Sequence, residues 1–477
     1  MHKLDLLRGL YVRSPGWVKR ITSPALALVP IQLRYGATYR RFRQDIRQSE
    51  SDADFVAQYQ IHRLRSLVQS CIEYSPYYRE LFRKVYGSIP SIEDYSFADL
   101  QRLPLLEKDT IREDPESFLV KDRSEMDIVS TSGSSGKPLR FYLDKNRSVK
   151  EWAFINHLWS RIGYQPGQRR AVMRGVLINN VDVDPWEFDP AMNELRLSPF
   201  HLTPKIMDLY LGLIQRYKIT YLHGYPSAIY ILAKHAQNVG WGYGVNLRGV
   251  LTISETLFSF QREFLSKLFP NARILPFYGM SEKVAIAGEV LGEPDLYEFE
   301  PLYGFAELVN GQGQPVMEPG QPGRIVATGF LCTGMPLLRY DTGDEAVLGC
   351  LPGVDNCYRL RVRNIRSRWA QEFLVSKQGA LVSMAAINIH SPVYSSIQEF
   401  QFYQDTPGLA LVRIIPIPGK TSADFTPFVK EIMEKTGAGI DLQVQLVDQL
   451  AQNSRGKRPF IDQHIDHHLY QLNEEGD

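Results

Sequence analysis

The chain has 477 residues, of which 44% are hydrophobic and 22% are charged, and its formal net charge is +1. This length predicts two or more domains with ample core. The near-neutral balance argues against nucleic-acid binding through bulk positive charge. Four cysteines are too few for a disulfide scaffold, and no segment has the apolar length of a transmembrane helix. The composition therefore predicts a cytoplasmic globular protein.

The first 47 residues form a basic arm, which contains ten Lys or Arg residues and only two Asp residues. Apolar residues such as Trp17, Leu26 and Val29 lie among them. Two interpretations stay open: a helix packed on its own domain or on a partner subunit, or a segment at the periphery of an anionic membrane. Pro24 and Pro30 interrupt a clean amphipathic helix, which favours the first interpretation.

Periodicity predicts helices at residues 52–85 and 146–161, the first closed at Ser75-Pro76. Between about residues 170 and 345, strand-like and helical runs alternate and are followed by antiparallel strands with glycine turns, which indicates α/β layers. The final hundred or so residues repeat strand–helix–strand and suit a separate domain. The predicted strands are 170–177, 219–223, 249–253, 273–278, 298–300, 305–309 and 323–328, and the predicted helices between them are 204–217, 227–238 and 259–268.

Residues 130–138 have the sequence Ser-Thr-Ser-Gly-Ser-Ser-Gly-Lys-Pro, between two strand-like runs. Glycines allow close backbone approach, so N–H groups, hydroxyls and a lysine can surround phosphate oxygens. The spacing is not that of a Walker A loop, and a flexible linker is the alternative. We expect a phosphate loop of another kind, formed by Thr131, Ser132, Gly133, Ser134, Ser135, Gly136 and Lys137.

Three further motifs carry groups suited to nucleotide chemistry. Residues 278–282 (Tyr-Gly-Met-Ser-Glu) offer a ring to stack on a base, a hydroxyl and a carboxylate for Mg²⁺; a tight turn is the alternative. Residues 339–344 (Arg-Tyr-Asp-Thr-Gly-Asp) offer a carboxylate for a ribose diol, with a hairpin turn as the alternative. Residues 454–458 place Lys457 on a glycine loop, where it stabilises developing charge or is simply solvated.

In this order, the four motifs resemble those of the adenylate-forming superfamily of acyl-CoA synthetases and carboxylate-activating ligases. The likeness is strongest to the phenylacetate–CoA ligase branch, which includes the CapK-type capsular polysaccharide biosynthesis proteins. This resemblance implies an α/β fold with a large layered N-terminal domain of mixed sheets and helices, plus a small mobile α+β C-terminal domain. We expect a basic arm at 1–50, an ATP- and carboxylate-binding domain at 51–364 and a C-terminal domain at 365–477.

The resemblance implies a two-step reaction with ATP and Mg²⁺. A carboxylate attacks the α-phosphate of ATP, giving an acyl-adenylate and pyrophosphate, and an acceptor then takes the acyl group. The acceptor can be CoA, an amine, a sugar or a carrier protein. Because both reactants of the first step are anions, cations and N–H donors must neutralise them.

The resemblance also implies residue roles. The loop 131–137 would hold the β- and γ-phosphates, and Ser281 would contact the α-phosphate. Glu282 would bind Mg²⁺, and Lys457 would bridge the carboxylate and the α-phosphate. Tyr278, Ser254 and Glu255 would line the adenine site, Asp344 would bind the ribose, and Arg366 would lie at the hinge beside the ribose. Gly279 and Met280 are the other implied nucleotide-binding residues.

Two positions depart from the family pattern. The family's hinge usually has Gly-Arg-x-Asp-Asp, whereas residues 365–369 here are Ile-Arg-Ser-Arg-Trp. Asp341 stands where a basic residue often occurs. The altered hinge and the basic arm motivate an alternative function, a non-catalytic nucleotide-binding relative that acts as a scaffold in a surface-polymer assembly complex.

The acid pocket is expected near residues 221–226 and 254–256, because both follow predicted strands at one sheet edge. His223 and Tyr225 would suit an aryl or other planar acid, and core packing is the alternative for both. Cys350 and Cys357 lie where some relatives bind zinc, but their spacing is not that of a zinc knuckle.

Overall fold

The computed structural model describes residues 34–131, 138–176, 178, 181, 183–351, 359–366, 373–377, 379, 381–383, 396–436, 439–451 and 460–466. The chain forms two compact units. Unit 1 comprises Met1–Val129, Arg140–Pro166 and Leu275–Arg368, and unit 2 comprises Ser130–Leu139, Gly167–Ile274 and Trp369–Asp477. The domain boundaries expected after residues 50 and 364 stay a prediction.

The α-helices described are α1 Gly36–Gln48, α2 Ala53–Tyr74, α3 Pro76–Tyr86, α4 Phe97–Leu100, α5 Lys108–Glu113, α6 Arg147–Ser160, α7 Pro204–Arg216, α8 Pro226–Asn238, α9 Ser259–Leu268 and α10 Thr426–Thr436. Short 3-10 helices lie at Pro115–Phe118, Arg123–Glu125, Gly242–Asn246 and Ser422–Phe425. None of these helices is long and apolar enough to cross a membrane.

The strands are β1 Met126–Thr131, β2 Leu139–Asp144, β3 Arg170–Met173, β4 Trp186–Asp189, β5 Glu194–Leu197, β6 Tyr221–Gly224, β7 Gly249–Thr252, β8 Arg273–Gly279, β9 Ile286–Glu289, β10 Leu296–Phe299, β11 Gly304–Val309, β12 Pro322–Gly329, β13 Tyr340–Cys350, β14 Arg361–Arg366, β15 Phe373–Val375, β16 Leu381–Ser383, β17 Ile397–Thr406, β18 Leu409–Pro416, β19 Asp441–Leu446 and β20 Ile461–Gln463.

The region predicted as one helix, residues 52–85, holds two helices with separate caps. Asp52 accepts a hydrogen bond from the backbone N–H of Phe55 at 2.9 Å and begins α2. Ser75 ends α2 and caps α3, whose first residue is Pro76. Proline suits this first position because its missing N–H has no partner to lose there. The predicted end of the helix at Ser75-Pro76 is therefore confirmed, and a second helix begins at the same place.

Helix α1 packs against α6 within unit 1. Asn156 of α6 donates a hydrogen bond to the hydroxyl of Tyr39 at 3.1 Å, and the rings of Phe42 and Phe154 lie 6.1 Å apart. Ile46 of α1 is fully buried. This part of the basic arm therefore belongs to the folded core of unit 1, while residues 1–33 lie outside the described residues.

The strands of unit 1 form an antiparallel array in the order β11-β12-β13-β14-β10-β9-β8. Strand β13 is central to the site described below. It pairs with β12 on one side and with β14 on the other. Residues 340–344 therefore lie in a continuous strand, and Arg339 immediately precedes it. The alternative of a hairpin turn for this motif is wrong.

In unit 2, the strands β7-β6-β3-β5 run parallel and β4 forms an antiparallel edge. Helices α7 and α8 pack their apolar faces on this sheet, with Leu213, Ile214 and Ile229 buried. A Cβ atom on Gly224 would lie 2.1 Å from the carbonyl oxygen of Met173. Strands β3 and β6 therefore end side by side only because residue 224 is glycine.

The C-terminal part of unit 2 contains a four-stranded sheet in the order β19-β18-β17-β20, with α10 between β18 and β19. Strands β17 and β18 are antiparallel, and β19 and β20 join them in parallel. Phe400, Phe402, Phe428 and Phe460 form its aromatic core. The strand–helix–strand pattern predicted for this region is confirmed.

Candidate active site

In unit 1, the structure brings together two predicted site residues that are far apart in the sequence. The hydroxyl of Tyr278, near the end of β8, donates a hydrogen bond to the carboxylate of Asp344 on β13 at 2.8 Å. Burial and the neighbouring carboxylate raise the pKa of Tyr278 well above its usual value. The phenol therefore stays a hydrogen-bond donor at neutral pH and fixes one oxygen of Asp344.

A bulge in β13 sets the position of Asp344. Asp341 pairs with Val326 and Glu345 with Arg324, so residues 342–344 all stand opposite a single residue of β12. Gly343 has a φ of 80°, a conformation that glycine adopts without steric cost. Side chains support the bulge: Asp341 accepts from the N–H of Gly343 at 2.9 Å, and Thr342 accepts from the N–H of Asp344 at 3.1 Å. Bulges of this kind re-aim side chains next to active sites.

Glu282 lies in the same unit and is 7% exposed. Tyr340, the first residue of β13, donates its hydroxyl proton to Glu282 Oε1 at 2.6 Å, and Lys108 Nζ lies 3.8 Å from the same oxygen. Burial and the Glu282 carboxylate raise the pKa of Tyr340 well above its usual value. Strand β13 thus positions both acidic residues of the site. It carries Asp344 itself, and its Tyr340 fixes Glu282 through a hydrogen bond.

Arg339 anchors the start of β13. Its side chain is buried, forms an ion pair with Glu307 and donates hydrogen bonds to the carbonyl oxygens of Gln101, Leu103 and Gly313. Its φ of 49° is unusual for a residue with a side chain and is retained because these contacts fix it. These contacts of Arg339 therefore fix the position of the next residue, Tyr340, relative to Glu282.

The surroundings of Glu282 fit a magnesium ligand. Both contacts of its carboxylate involve Oε1, and among the described residues no contact is made to Oε2. The described residues contain no cluster of three His, Cys, Asp or Glu side chains around a common point. Mg²⁺ is commonly held by one or two carboxylates together with substrate phosphates and waters, so a single buried carboxylate is sufficient chemistry.

The other unit 1 candidates lie beside these residues. Gly279 ends β8, and a turn follows in which the N–H of Lys283 donates to the carbonyl of Met280 at 3.3 Å. Ser281 is half-buried within that turn. Arg366 is exposed at the end of β14 and pairs with Glu345, the residue next to Asp344.

In unit 2, Ser254 and Glu255 follow the carboxyl end of β7. Ser254 has a φ of 69°, so the chain turns sharply there. Glu255 accepts a hydrogen bond from the N–H of Ser227 at 3.2 Å, in the first turn of α8. A carboxylate at a helix N-terminus is stabilised by the helix dipole, which gives Glu255 a structural partner in addition to its predicted role.

His223 and Tyr225 both form hydrogen bonds with backbone groups of the protein. His223 donates from Nδ1 to the carbonyl of Leu251 on the neighbouring strand at 3.0 Å, and burial lowers its pKa well below 6.5. Tyr225 accepts a hydrogen bond from the N–H of Gly175 at 2.9 Å, and burial raises its pKa to about 12. Both side chains are therefore neutral at pH 7 and help to fix the ends of β3 and β6.

Several of the predicted site residues lie outside the part of the chain that the structure describes. Thr131 ends β1, while residues 132–137 and Lys457 lie outside the described residues, as does Cys357. Cys350 is described, and its thiol donates a hydrogen bond to the carbonyl oxygen of Leu351 at 3.4 Å.

Four residues of the site were missed by sequence reasoning: Lys108, Arg339, Tyr340 and Thr342. The last three lie within the recognised motif at 339–344, so their place in that motif could have indicated that they belong to the site. Lys108 lies in a region of short helices without periodicity. It reaches Glu282 because Leu106 forms backbone hydrogen bonds with Arg339 and Asp341. No local pattern predicts such a contact.

Comparison with known proteins first defines the class of fold. 2-Hydroxyisobutyryl-CoA ligase, in complex with 2-HIB-AMP and CoA in the thioesterification state, aligns over 87% of this chain and 91% of its own, with a TM-score of 0.54 and 17% identity. An open conformation of that ligase aligns over 84% and 90%, with a TM-score of 0.50 and 17% identity. The chain therefore has the fold of an adenylate-forming ligase, and the predicted α/β fold class is confirmed.

A narrower likeness comes from sequence. Residues 374–464 match the family model of the CapK C-terminal domain. Protein CapK of Staphylococcus aureus is 23% identical over 397 residues, which cover 81% of this chain and 84% of CapK. The predicted resemblance to CapK-type proteins is thereby confirmed.

Proposed function

We propose that this protein is an AMP-forming ligase that activates a carboxylic acid as an acyl-adenylate with ATP, releases pyrophosphate and transfers the acyl group to an acceptor. One observation carries the proposal. In unit 1, the motifs 278–282 and 339–344 form one cluster, in which Tyr278 contacts Asp344 and Tyr340 contacts Glu282. The two motifs therefore supply one set of neighbouring groups, as a common nucleotide site requires.

The first step needs negative charge to be neutralised where two anions meet. Glu282 would supply an oxygen ligand to Mg²⁺, which offsets the charge of the phosphates. Ser281 would contact the α-phosphate, and the loop 131–137 would hold the β- and γ-phosphates through N–H groups, hydroxyls and Lys137. Lys457 would stabilise the charge that develops between the attacking carboxylate and the α-phosphate.

The adenosine would be held by the remaining candidates. Asp344, with one oxygen fixed by Tyr278, would accept hydrogen bonds from the ribose hydroxyls. Tyr278, Gly279 and Met280, together with Ser254 and Glu255, would line the adenine site, and Arg366 would act at the hinge.

CoA is the acceptor that we propose for the second step, since the ligase with the same fold is described in complex with 2-HIB-AMP and CoA. An amine, a sugar or a carrier protein are the alternative acceptors. The likeness to CapK-type proteins supports a role in polysaccharide or secondary-metabolite biosynthesis. We place the protein in the cytoplasm and propose that the part of the basic arm (residues 1–50) that precedes α1 contacts the inner membrane face or another subunit.

Pyrophosphate exchange into ATP, driven by a panel of carboxylic acids, tests the first step. We expect at least one acid to support exchange and Lys457→Ala to lower it by roughly 100-fold or more, because a group that stabilises developing charge is worth several kcal/mol. ATP binding, measured by calorimetry, should change little. Lys430→Ala, an exposed lysine of the same C-terminal region, is the matched control and should retain full exchange.

Full exchange in the Lys457→Ala protein would remove this lysine from the proposed role. ATP binding without exchange for any acid, in folded protein, would overturn the enzymatic proposal. Co-sedimentation with a partner or with vesicles that depended on residues 1–47 would then support a nucleotide-binding scaffold.

A further inference from the structure

The carboxyl ends of β3, β6 and β7 lie at one edge of the unit 2 sheet. Met173 pairs with Gly224, and Gly224 pairs with Thr252, so the three parallel strands end in register. The close backbone approach at Gly224 fixes this edge, because a side chain there would collide with the Met173 carbonyl. Ligands of parallel α/β sheets bind beyond the carboxyl ends of strands. The residues that follow these ends are therefore candidates for substrate recognition.

Arg174 is the residue that follows β3. It is half-buried, and its Nε atom is buried without a hydrogen-bond partner among the described residues. Its guanidinium forms no ion pair with any carboxylate of the described chain. Arg196 on β5 also has a buried Nε atom without a hydrogen-bond partner, so this feature alone does not distinguish Arg174. The difference is that Arg196 forms an ion pair with Asp189 at 2.6 Å and Arg170 forms one with Glu194. Among the described residues, no carboxylate forms an ion pair with the positive charge that Arg174 brings to the edge.

The described neighbours of Arg174 do not neutralise that charge. His223 is uncharged at pH 7, since burial and the nearby Arg174 and Arg170 lower its pKa. Tyr225 is uncharged as well, and its hydroxyl accepts from the N–H of Gly175, the residue after Arg174. Glu255, which also acts on Tyr225, accepts from the N–H of Ser227 and lies beyond ion-pair distance of Arg174.

Removing part of a guanidinium from water without a partner is costly, so an anionic ligand that pairs with it would be bound favourably. The planar fork of an arginine matches a carboxylate or a phosphate with two parallel hydrogen bonds. In the proposed reaction the carboxyl group that attacks ATP is served by Lys457. Arg174 is therefore available for a different anionic group.

We propose that Arg174 binds a second anionic group of the substrate, so that the acid to be activated carries a carboxylate or phosphate in addition to its reacting carboxyl group. This inference rests on the proposed adenylation function and names its substrate class. It replaces the expectation of a simple aryl acid, which relied on His223 and Tyr225. His223 Nδ1 and the Tyr225 hydroxyl are hydrogen-bonded within the protein, and both side chains are buried and uncharged.

The experiment compares acids that differ by one charge. Succinate, glutarate and terephthalate are tested in pyrophosphate exchange beside their monomethyl esters, which keep the shape and one carboxyl group. We expect kcat/KM for the preferred diacid to exceed that of its ester by about tenfold or more, since a charge-assisted hydrogen bond contributes about 1.5–3 kcal/mol. Arg174→Met should abolish this preference through a raised KM for the diacid and leave exchange with the ester unchanged.

Arg248→Met is the matched control. Arg248 is exposed and precedes the amino end of β7, at the opposite edge of the same sheet, so its loss should not change the preference. Arg174→Lys keeps the charge without the fork and should retain part of the preference. Equal exchange with diacids and esters in the wild-type protein would overturn the inference. So would an equal loss for both in Arg174→Met, which would assign Arg174 to the reacting carboxyl group.

A binding measurement separates this inference from the proposed function. Diacids, but not their esters, should raise the melting temperature of the wild-type protein and leave that of Arg174→Met unchanged. If no acid supports exchange but this shift is seen, the adenylation proposal fails and the anion site stands. If neither exchange nor a shift is seen with any diacid, the anion site is overturned as well.

Discussion

Tyr278 is placed so that its hydroxyl acts on Asp344, while its ring lies against Phe299, with 5.9 Å between the ring centroids. A carboxylate that is free to rotate would lose entropy each time it bound a diol. The hydrogen bond from Tyr278 removes that cost in advance, because one carboxylate oxygen is already fixed. Tyr278 is therefore a positioning residue for the proposed ribose contact.

Replacing Tyr278 by Phe tests this role. The ring remains, and only the hydrogen bond to a charged group is lost, a contribution of about 1.5–3 kcal/mol. We expect the KM for ATP in pyrophosphate exchange to rise about tenfold, with kcat changed less.

Tyr210→Phe is the matched control. Tyr210 is fully buried in unit 2 and donates its hydroxyl proton to the carbonyl of Pro185 at 2.8 Å. This variant should lose a similar amount of stability without any change in the KM for ATP. If both variants raised that KM equally, the effect would be one of general stability.

At the scale of the element, the bulge in β13 decides where Asp344 lies. Gly343→Ala should strain the backbone by about 1–3 kcal/mol, because φ is 80° at this position. We expect a lower melting temperature together with a KM for ATP raised by roughly tenfold, as the carboxylate moves away from Tyr278.

Gly320→Ala separates the two effects. Gly320 also has a positive φ, of 88°, and a Cβ atom there would meet open space. This variant should show a comparable loss of stability and an unchanged KM. A Gly343→Ala protein with wild-type affinity for ATP would show that the bulge does not position the site.

The predicted elements agree with the structure where hydrophobic periodicity and capping residues coincide. Helix α9 has the predicted bounds, and α7 and β7 differ from them by one residue. The predictions fail where long-range pairing decides. Residues 339–344 carry an Asp-Gly-rich pattern that is typical of hairpins, yet pairing with both β12 and β14 keeps them in one strand. Strand β3 is shorter than predicted, since the chain bends after Met173 and the N–H of Gly175 turns to Tyr225.

At the scale of the whole molecule, two buried histidines make stability depend on pH. Burial lowers the pKa of both His223 and His157 in the folded state. The unfolded chain takes up protons near the ordinary value of 6.5, while the folded chain does not, so acid favours unfolding. Stability should be flat above about pH 7 and fall below about pH 6.5, by about 1.4 kcal/mol per pH unit for each histidine.

Urea unfolding between about pH 5.5 and 7.5 measures this dependence. His223→Asn keeps a donor near the position of Nδ1 and removes the titrating ring, so it should reduce the slope by about half. An unchanged slope in this variant would show that His223 does not carry its predicted share.

Much of the candidate site could be predicted from the sequence, because its motifs carry the right groups in one order along the chain. Tyr278, Glu282 and Asp344 were identified in this way, and their mutual contacts were not. Lys108 and Arg174 could not be identified, because their importance comes from neighbours that are remote in sequence or from the lack of a partner. Such properties exist only in the folded chain.

The ion pair between Asp341 and Arg324, 2.5 Å apart on neighbouring strands, has a consequence for how this protein varies between species. Asp341 was singled out as a departure from the family, yet its partner lies on β12 and its other contact is the N–H of Gly343. A change of charge at 341 alone would leave Arg324 beside a repelling or neutral group. Positions 324 and 341 should therefore co-vary in evolution. Homologues with a basic residue at 341 should carry a compensating change at 324, while their nucleotide chemistry stays the same.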